Sequence, residues 1–444
     1  MPEPGRRTRL LLAAAGGLLA AAAMGQFGKA PHATGGFLFA YALGFIPYAC
    51  AVRITTKPGG APPFAMVLGV ALLLRLLVSP ALPSDDLNRY AWEGRIQSEG
   101  VNPYLVAPDD PRLAALRDEV WPGINHPDLP AIYPPGAQLS FRLFARAGLG
   151  LRDIKGVMAG LDLGVIAALG LLLRLRGVPA GGALIYAWSP LAVFQVAGRG
   201  HMEPLLLLPL LLAAALLAKP ASGGRRGLGG ALLAAGFMAK WNALPLGISW
   251  IRSLRGPGLL AAALTALLLA GPYADAGFSF FETLGRFYTD FHFADSLNAL
   301  AVSALGPGGG RMLCGAALLG VTLFLMFREH DPAKSARLFF GASVLLLPTV
   351  HPWYFLWVLP WLALGRGPWG WIVLTATVPL YADGLVVAAG GWEHLHEHAG
   401  WKALAYGAGG MVWAGEWIRD FRTRGSRVAV QGRPLTPRRG EPPS

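Results

Sequence analysis

The chain has 444 residues, of which 54% are hydrophobic and only 14% are charged, and its mean hydropathy is +0.46. Soluble globular chains carry about 25% charged residues, so the composition excludes an ordinary soluble protein. The formal net charge of +13 does not indicate nucleic-acid binding, because the cations stand at the ends of apolar runs.

The N-terminal segment sets the direction of the first span. Arg6, Arg7 and Arg9 precede a run rich in Ala and Leu. This pattern is typical of a secretory signal peptide, but a further apolar span follows within twelve residues, which favours a signal anchor. Because short cytoplasmic loops collect Lys and Arg, we predict that the N-terminus lies inside.

Apolar runs of membrane-spanning length follow along the whole chain. The positions of Arg and Lys assign 83–135 and 273–297 to two outer loops and place both termini inside. The short apolar run 137–150 is predicted to be a half-span or an interfacial helix on the outer side. The predicted spans, roughly 11 to 13 in all, are 10–24, 37–52, 63–82, 156–173, 181–198, 204–218, 228–250, 259–271, 312–327, 338–350, 353–364, 369–388 and 403–417.

The predicted fold class is therefore an all-α, polytopic transmembrane protein. One membrane domain takes up residues 1–417, and the seven Arg in the last 26 residues mark 418–444 as a basic, disordered cytoplasmic tail near anionic lipid. No internal repeat is evident, which argues against transporter folds built from inverted repeats. The two cysteines lie in apolar segments, so neither a disulfide framework nor a zinc site is predicted.

Two adjacent acids, Asp85 and Asp86, open the first outer loop. Carboxylates at a membrane boundary are costly unless they are solvated, paired or used. Repulsion between neighbouring acids should raise one pKa, and a raised carboxylate pKa suits a general base. The alternative is a helix cap in which one of them accepts from the Asn88 or Arg89 amide, and a cap is compatible with a catalytic role.

The rest of this loop is rich in Pro and aromatic residues. Asn102 and Tyr104 follow a glycine, and Tyr133 precedes two prolines that give a rigid start to the next helix. Ordinary turn structure is the alternative interpretation of both segments.

A second cluster, Arg199, His201 and Glu203, lies among glycines at an outer span boundary. The planar guanidinium fork suits phosphate, so the cluster is a candidate for holding an anionic head group. The alternative is that these long side chains only reach from the apolar region into the interface.

His351, Trp353 and Tyr354 fall at a further outer boundary, where an aromatic belt is the alternative. The topology rests on Arg and Lys alone, yet this cluster, the Asp pair and the Arg199 cluster all fall on one side. The placement of all three clusters on the same side is a stronger indication of a functional site than any single cluster.

Two ionisable residues fall within apolar segments, where such groups are functional candidates. Lys240 lies in the apolar run 228–250, which is predicted to be a tight hairpin of short helices broken near 241–245, and Asp162 lies well inside a span. Asp162 follows Lys155 by seven residues, two turns along one helix face, so an ion pair between them is the alternative.

Several familiar patterns are absent from the sequence. It contains no Walker motif, no Gly-rich dinucleotide loop, no HExxH and no Asp-x-Asp pair after a Rossmann-type strand. His394, His396 and His398 have no carboxylate-backed ligand set around them. We therefore predict no cofactor, and a divalent metal is left open without being indicated.

In chain order, the segments resemble the GT-C superfamily of membrane glycosyltransferases. The resemblance is greatest to the bacterial branch related to polyprenyl-phosphate-mannose-dependent α-mannosyltransferases. It covers about residues 70–365, and the order of the motifs is more specific than any single motif. The matching segments are 86–90, 92–95, 100–104, 133–138, 188–190, 198–201, 239–240 and 351–354.

The resemblance implies an enzyme that transfers a hexose, with mannose favoured, from a polyprenyl-phosphate sugar to a lipid or glycan acceptor with inversion. The reaction would take place at the periplasmic face of the bacterial inner membrane. The family's usual base is an acid in the first outer loop. Asp86 matches it better than Asp85, because an apolar residue follows it and Tyr90 comes four positions later. Asp85 would share the proton or position the acceptor.

The residue types fit this chemistry independently of the resemblance. An acceptor hydroxyl needs a base, and a leaving lipid phosphate needs cationic donors. The cationic candidates are Arg199, His201, His351 and Lys240, and the aromatic candidates for stacking on sugar faces are Trp92, Tyr104 and Trp353. The full set of predicted substrate-binding residues is Arg89, Tyr90, Trp92, Glu93, Asn102, Tyr104, Tyr133, Arg199, His201, Glu203, Lys240, His351, Trp353 and Tyr354.

Two other functions remain open. A lipid or sugar transporter or flippase would need charged groups through the membrane depth and on both sides, whereas the candidates here are mostly outer. An outer-face acyltransferase would use His201 or His351, would need a thioester-bearing partner, and would leave the Asp pair without a role.

Overall fold

The computed structural model describes residues 4–29, 35–365, 367–389 and 397–431. In these ranges the chain is helical throughout and forms no β-strand; an isolated parallel bridge joins Phe293 and Thr349. The α-helices are α1 Pro4–Phe27, α2 Gly35–Thr55, α3 Phe64–Val78, α4 Asp85–Ser98, α5 Pro135–Arg146, α6 Leu151–Leu175, α7 Leu184–Ala187, α8 Pro190–Ala192, α9 Glu203–Leu216, α10 Gly223–Phe237, α11 Leu244–Ser249, α12 Ile251–Ala270, α13 Glu282–Asp290, α14 Leu297–Arg328, α15 Pro332–Leu346, α16 Trp369–Ala389 and α17 Ala399–Gln431.

Among the described residues, five helices are long and apolar enough to cross a membrane, or six if one bent pair counts as a span. This agrees with the prediction of a polytopic helical protein, and fewer helices of spanning length occur in the described ranges than the roughly 11 to 13 spans predicted. Several predicted spans are short helices: α3 has 15 residues and α9 has 14. At about 1.5 Å per residue, such helices are shorter than a hydrocarbon core of about 30 Å. The qualifying segments are Gly5–Phe27, Gly35–Thr55, Leu151–Leu175, Ile251–Asp290 and Leu297–Arg328, and the bent pair is Ala180–Ala187 with Pro190–Gly198.

The bend between Ala180–Ala187 and Pro190–Gly198 has a local cause, and it determines where the Arg199 cluster lies. Pro190 follows Ser189 at the break, and the two halves meet at 61°. Proline cannot donate a backbone hydrogen bond and clashes with the preceding turn. The second half ends in a π-helical stretch, Val193–Gly198, after which the Arg199 carbonyl accepts from the Ser84 amide at 2.9 Å. The break therefore brings the Arg199 cluster against the start of α4.

The first outer loop is anchored by close packing of α4 on α5. A Cβ at Gly94 would overlap the Phe141 carbonyl oxygen, so the two helix backbones touch at this point. On the other side of the loop, Trp92 is packed in a small core with Ile96 and Leu113. The loop between the helices is thus a folded unit and holds α4 in a fixed position.

The interior acid Asp162 has a different partner from the predicted one. The Arg75 guanidinium donates to Asp162 Oδ2 at 2.6 and 2.8 Å, and the Tyr186 hydroxyl donates to Oδ1. The Lys155 ammonium instead donates to the Ser79 and Ala81 carbonyls. The alternative of a Lys155–Asp162 pair was wrong, because seven residues separate their backbones by about 10.5 Å along the helix axis.

The C-terminal helix is longer than expected. α17 continues to Gln431, so 418–431 are helical where a disordered tail was predicted. Extending an existing helix costs much less than nucleating one, and this segment contains no proline. Residues 432–444 lie outside the described residues.

Candidate active site

Asp85 and Asp86 occupy the first turn of α4, with Ser84 at the N-cap. Asp85 Oδ1 accepts from the Asp86 amide at 3.0 Å, and neither carboxylate accepts from the Asn88 or Arg89 amide. The alternative of a simple helix cap is therefore wrong. Carboxylates in the first turn are nevertheless stabilised by the positive end of the helix dipole.

The Asp86 carboxylate is buried and held from two sides. Asn125 Nδ2 donates to Oδ1 at 2.7 Å, and His201 Nδ1 lies 3.5 Å from Oδ2. Burial alone would raise the pKa of Asp86, but the contacts with His201 and Asn125 outweigh it and hold this pKa well below its usual range. Asp86 is therefore a fixed, ionised carboxylate at neutral pH.

Asp85 behaves in the opposite way. Burial, and then the negative charge of Asp86, raise the pKa of Asp85, whereas Arg199 and His201 oppose the rise. The expected splitting between adjacent acids is thus present. The raised pKa falls on Asp85 and not on Asp86, the residue that the family resemblance favours as base.

A narrow cavity borders Asp85. Its volume is about 30 Å³. Asp86 does not line it and lies behind His201 and Asp85. The polar and aromatic residues on its wall are Ser84, Asp85, Gln195, Arg199, His201, Trp353 and Asp383.

Arg199 is the main cation of this cavity. Its guanidinium makes no side-chain hydrogen bond with the residues that the structure describes, and its charge acts on both Asp85 and Asp383. The group also lies 5.9 Å from the Phe194 ring centroid. A partly buried guanidinium facing a cavity is well suited to receive an anion.

His201, Trp353 and His351 form a stack beside the Asp pair. The centroids of His201 and Trp353 are 3.8 Å apart, and those of Trp353 and His351 are 4.5 Å apart with parallel planes. Burial lowers the pKa of His351 to about 3 against the opposing charge of Asp86, so His351 is neutral at physiological pH. The predicted His351 cluster and the Arg199 cluster therefore meet in space.

Glu203 and Lys240 form a buried ion pair close to this stack. The Lys240 ammonium also lies 5.2 Å from the Tyr354 ring centroid and 5.3 Å from that of Trp357. The positive charge of Lys240 is already balanced by the Glu203 carboxylate. In this arrangement Lys240 is a weaker phosphate candidate than Arg199.

Arg89 and Glu93 were predicted to bind substrate, but they are buried inside the loop. Arg89 Nε donates to Glu93 Oε1 at 2.8 Å, and Gln138 donates to Glu93 Oε2 at 2.6 Å. The two Nη atoms of Arg89 donate at 2.5 to 3.1 Å to the carbonyls of Asn125, His126, Leu129 and Pro130. All five guanidinium protons are thus used, which leaves none for a ligand.

The other loop residues predicted as ligands also have structural contacts. The Tyr90 ring stacks on Phe141, with centroids 4.6 Å apart, and meets Tyr133 edge-on. The Tyr104 hydroxyl donates to the Tyr133 carbonyl at 2.6 Å, and Asn102 Nδ2 donates to an aspartate, Asp275, in the second outer loop at 2.7 Å. Together with Trp92, they stabilise the loop and do not line the cavity.

Four residues of the site were not predicted from the sequence: Ser84, Asn125, Gln195 and Asp383. Ser84 Oγ is buried without a hydrogen-bond partner among the described residues and lies on the cavity wall. Asp383 carried a usable signal, because it is a lone acid in an apolar run, as Asp162 is. No sequence signal marked Asn125, because its role depends on how the loop folds back onto α4.

No group of three or more metal-ligating side chains occurs in the described ranges. Of the histidines considered for a metal, His394 and His396 lie outside those ranges. No family model matches the chain, and no curated protein or solved structure matches it either.

Proposed function

We propose that the chain is a membrane glycosyltransferase that moves a hexose, with mannose favoured, from a polyprenyl-phosphate sugar to a lipid or glycan acceptor. One observation carries the proposal: Asp85, whose pKa is raised, lies on the wall of a cavity together with Arg199, His201 and Trp353. The ionised Asp86 does not line the cavity itself but adjoins Asp85 in the chain and His201 in space. Glycosyl transfer from a lipid phosphate needs a base for the acceptor hydroxyl and a site for the anionic leaving group, and an aromatic side chain can stack on the sugar. The Asp pair, Arg199 and Trp353 are the candidates for these three roles.

In the proposed reaction, the acceptor hydroxyl oxygen forms a bond to the anomeric carbon, and the bond from that carbon to the phosphate oxygen breaks. The proton passes to the carboxylate pair, and the phosphate leaves with the bonding electrons. Asp86, ionised and fixed by Asn125, is the first candidate for the base. A positioned base contributes about 10²- to 10⁴-fold to the rate. Asp85, on the cavity wall, shares the proton.

Arg199 is the candidate for the leaving phosphate, since its guanidinium faces the cavity without a side-chain hydrogen bond to the described residues. His201 adds a second donor next to it, and Trp353 offers a stacking face. The cavity is too narrow for a pyranose in its present form, so donor binding requires the surrounding side chains to move apart.

The proposed location is the periplasmic face of the bacterial inner membrane, with both termini cytoplasmic. The support is the distribution of Arg and Lys, which assigns the start of α4 to the outer side.

One observation favours a second function. Asp86 Oδ2 lies 3.5 Å from His201 Nδ1, which has no hydrogen-bond partner among the described residues, and a shorter approach would let the carboxylate orient a histidine base. In an outer-face acyltransferase, His201 would be the base and Asp86 its orienting partner.

The test is an assay on membranes with a radiolabelled polyprenyl-phosphate mannose. We expect Asp86→Asn to reduce transfer at least 100-fold without loss of protein, because the amide cannot accept the proton. Asp109→Asn is the matched control, since Asp109 is an exposed acid of the same loop. Full transfer by Asp86→Asn would exclude the mechanism. No transfer by the wild type, together with acyl transfer that His201→Ala abolishes, would favour the second function.

A further inference from the structure

A second and larger cavity lies at the other end of the helices that reach the candidate active site. Phe37, near the start of α2, lines the active-site cavity, whereas Thr55, at its end, lines the second one. Eighteen residues of helix rise about 27 Å. On α16, Asp383 lines the active-site cavity and Trp369 lines the second one, and they are about 21 Å apart along the helix. These distances approach the hydrocarbon thickness of about 30 Å, so the two cavities lie near opposite membrane surfaces.

The second cavity is open and its lining is cationic. Its volume is about 860 Å³. Lys57, Arg337 and Arg419 line it, with Glu416 as the one acid among its described lining residues. The Glu416 carboxylate accepts from the Trp369 and Gly370 amides at 3.1 and 3.2 Å, and its charge also acts on Arg337, so the lining keeps an excess of cations over this one acid.

The wall is shaped around Arg337. A Cβ at Gly365 would overlap the Arg337 guanidinium. The Arg337 side chain can therefore occupy this position only if residue 365 is glycine. Gly367, two residues later, has a φ of +67°, a conformation that favours glycine. The backbone of this connection is thus adapted to a guanidinium at the cavity surface.

The same cavity contains two tryptophans, Trp369 and Trp413, and apolar residues such as Val178 and Ile185. Tryptophan favours the level of lipid head groups, where one end of the ring is apolar and the other meets water. Guanidinium and ammonium groups bind phosphate. Cations, tryptophans and apolar residues together, at the end of apolar helices, match a phosphate with acyl chains better than a free phosphate.

We propose that this cavity binds the phosphate head group of an anionic lipid at the membrane surface opposite the candidate active site. The site does not depend on the proposed glycosyl transfer, and no residue of that reaction lines it. A bound lipid would bridge the ends of α2, α15 and α16 and would stabilise the bundle where its connections are short.

The test uses the full chain in detergent and measures thermal unfolding with added dioleoylphosphatidylglycerol, dioleoylphosphatidylcholine or inorganic phosphate. We expect phosphatidylglycerol to raise the unfolding midpoint in a saturable way and phosphatidylcholine to have no effect. In Arg337→Gln, the apparent affinity for phosphatidylglycerol should fall about fivefold, the effect of one cation near an anionic head group.

Lys57→Gln is a second variant, since Lys57 is exposed and its change is compatible with folding even if Arg337→Gln is not. Arg328→Gln is the matched control: Arg328 is an exposed cation at the end of α14 that does not line the cavity. Equal affinity in all variants, or an equal effect of phosphatidylcholine, would overturn the proposal. An effect of inorganic phosphate alone would also overturn it and would assign the cavity to a soluble phosphate ester.

Discussion

At the scale of single residues, the Asp pair shows how two identical neighbours acquire different chemistry. Asp86 is surrounded by donors, Asn125 and His201, which stabilise its charge. Asp85 faces the cavity, where burial and the adjacent negative charge disfavour ionisation. In the proposed reaction, Asp86 therefore starts as an anion that can take the acceptor proton, and Asp85, on the cavity wall, shares that proton.

This difference predicts the acid limb of the pH profile. If Asp85 must be ionised, activity should fall as the pH decreases through its raised pKa, which lies above the ordinary value of about 3.9. In Asp85→Asn, the acid limb of the pH profile would depend on the pKa of Asp86 alone. Because the pKa of Asp86 is lowered, the limb should move to lower pH, with a reduced plateau.

The measurement is transfer rate against pH in the membrane assay, compared with the control Asp109→Asn. An acid limb that stays in place in Asp85→Asn would show that Asp85 does not contribute to it.

At the scale of elements, the first outer loop depends on one buried cation. Arg89 joins α4 to the carbonyls of the segment that returns toward α5, and its partner Glu93 is 1% exposed. That segment includes Asn125, which in turn holds Asp86. Arg89 therefore acts on the candidate active site through the loop, without contacting the cavity.

Arg89→Ala should destabilise the protein strongly, since it leaves Glu93 buried without its cation. Breaking such a buried pair costs about 3–5 kcal/mol. Arg95→Ala, which removes a half-exposed ion pair with Asp118 from the same helix, should cost about 1 kcal/mol or less. Thermal unfolding and limited proteolysis between residues 99 and 135 measure both effects. Similar losses in the two variants would contradict the role given to Arg89.

At the scale of the whole molecule, helices of spanning length are combined with short and broken ones. The breaks expose polar backbone and side chains at membrane depth, which is tolerated where protein covers them. The Ser189–Pro190 break lies inside the core, and the Arg75–Asp162 ion pair is buried among the same helices. In the described part of the chain, the active-site cavity and the cationic cavity lie near opposite ends of this bundle.

The proposed topology predicts which surface each loop faces. With Cys50 and Cys314 replaced by Ser, Asp109→Cys should react with an impermeant maleimide in intact spheroplasts. Lys57→Cys should react only after permeabilisation. Both positions are exposed, so access to reagent depends on the side of the membrane. Reaction of Asp109→Cys only after permeabilisation would invert the topology and remove the outer-face reaction.

The sequence by itself determined the class of protein and the position of its Asp pair. Apolar runs, prolines and clusters of Arg are local signals, because hydropathy and helix breaking depend on neighbouring residues. They were sufficient for an all-helical membrane protein and for an acid pair just beyond α3. They do not reveal where a helix breaks within an apolar run, as at Ser189–Pro190.

Only the tertiary structure decided which residues meet. His201 and His351 are 150 positions apart in the chain and share one tryptophan, while Arg89, Glu93 and Tyr104, close to Asp86 in sequence, fold away into the loop. Asp383 reaches the same cavity from α16. Such contacts depend on how helices pack and on which buried charges find partners, and neither is encoded in the spacing of residues along one segment.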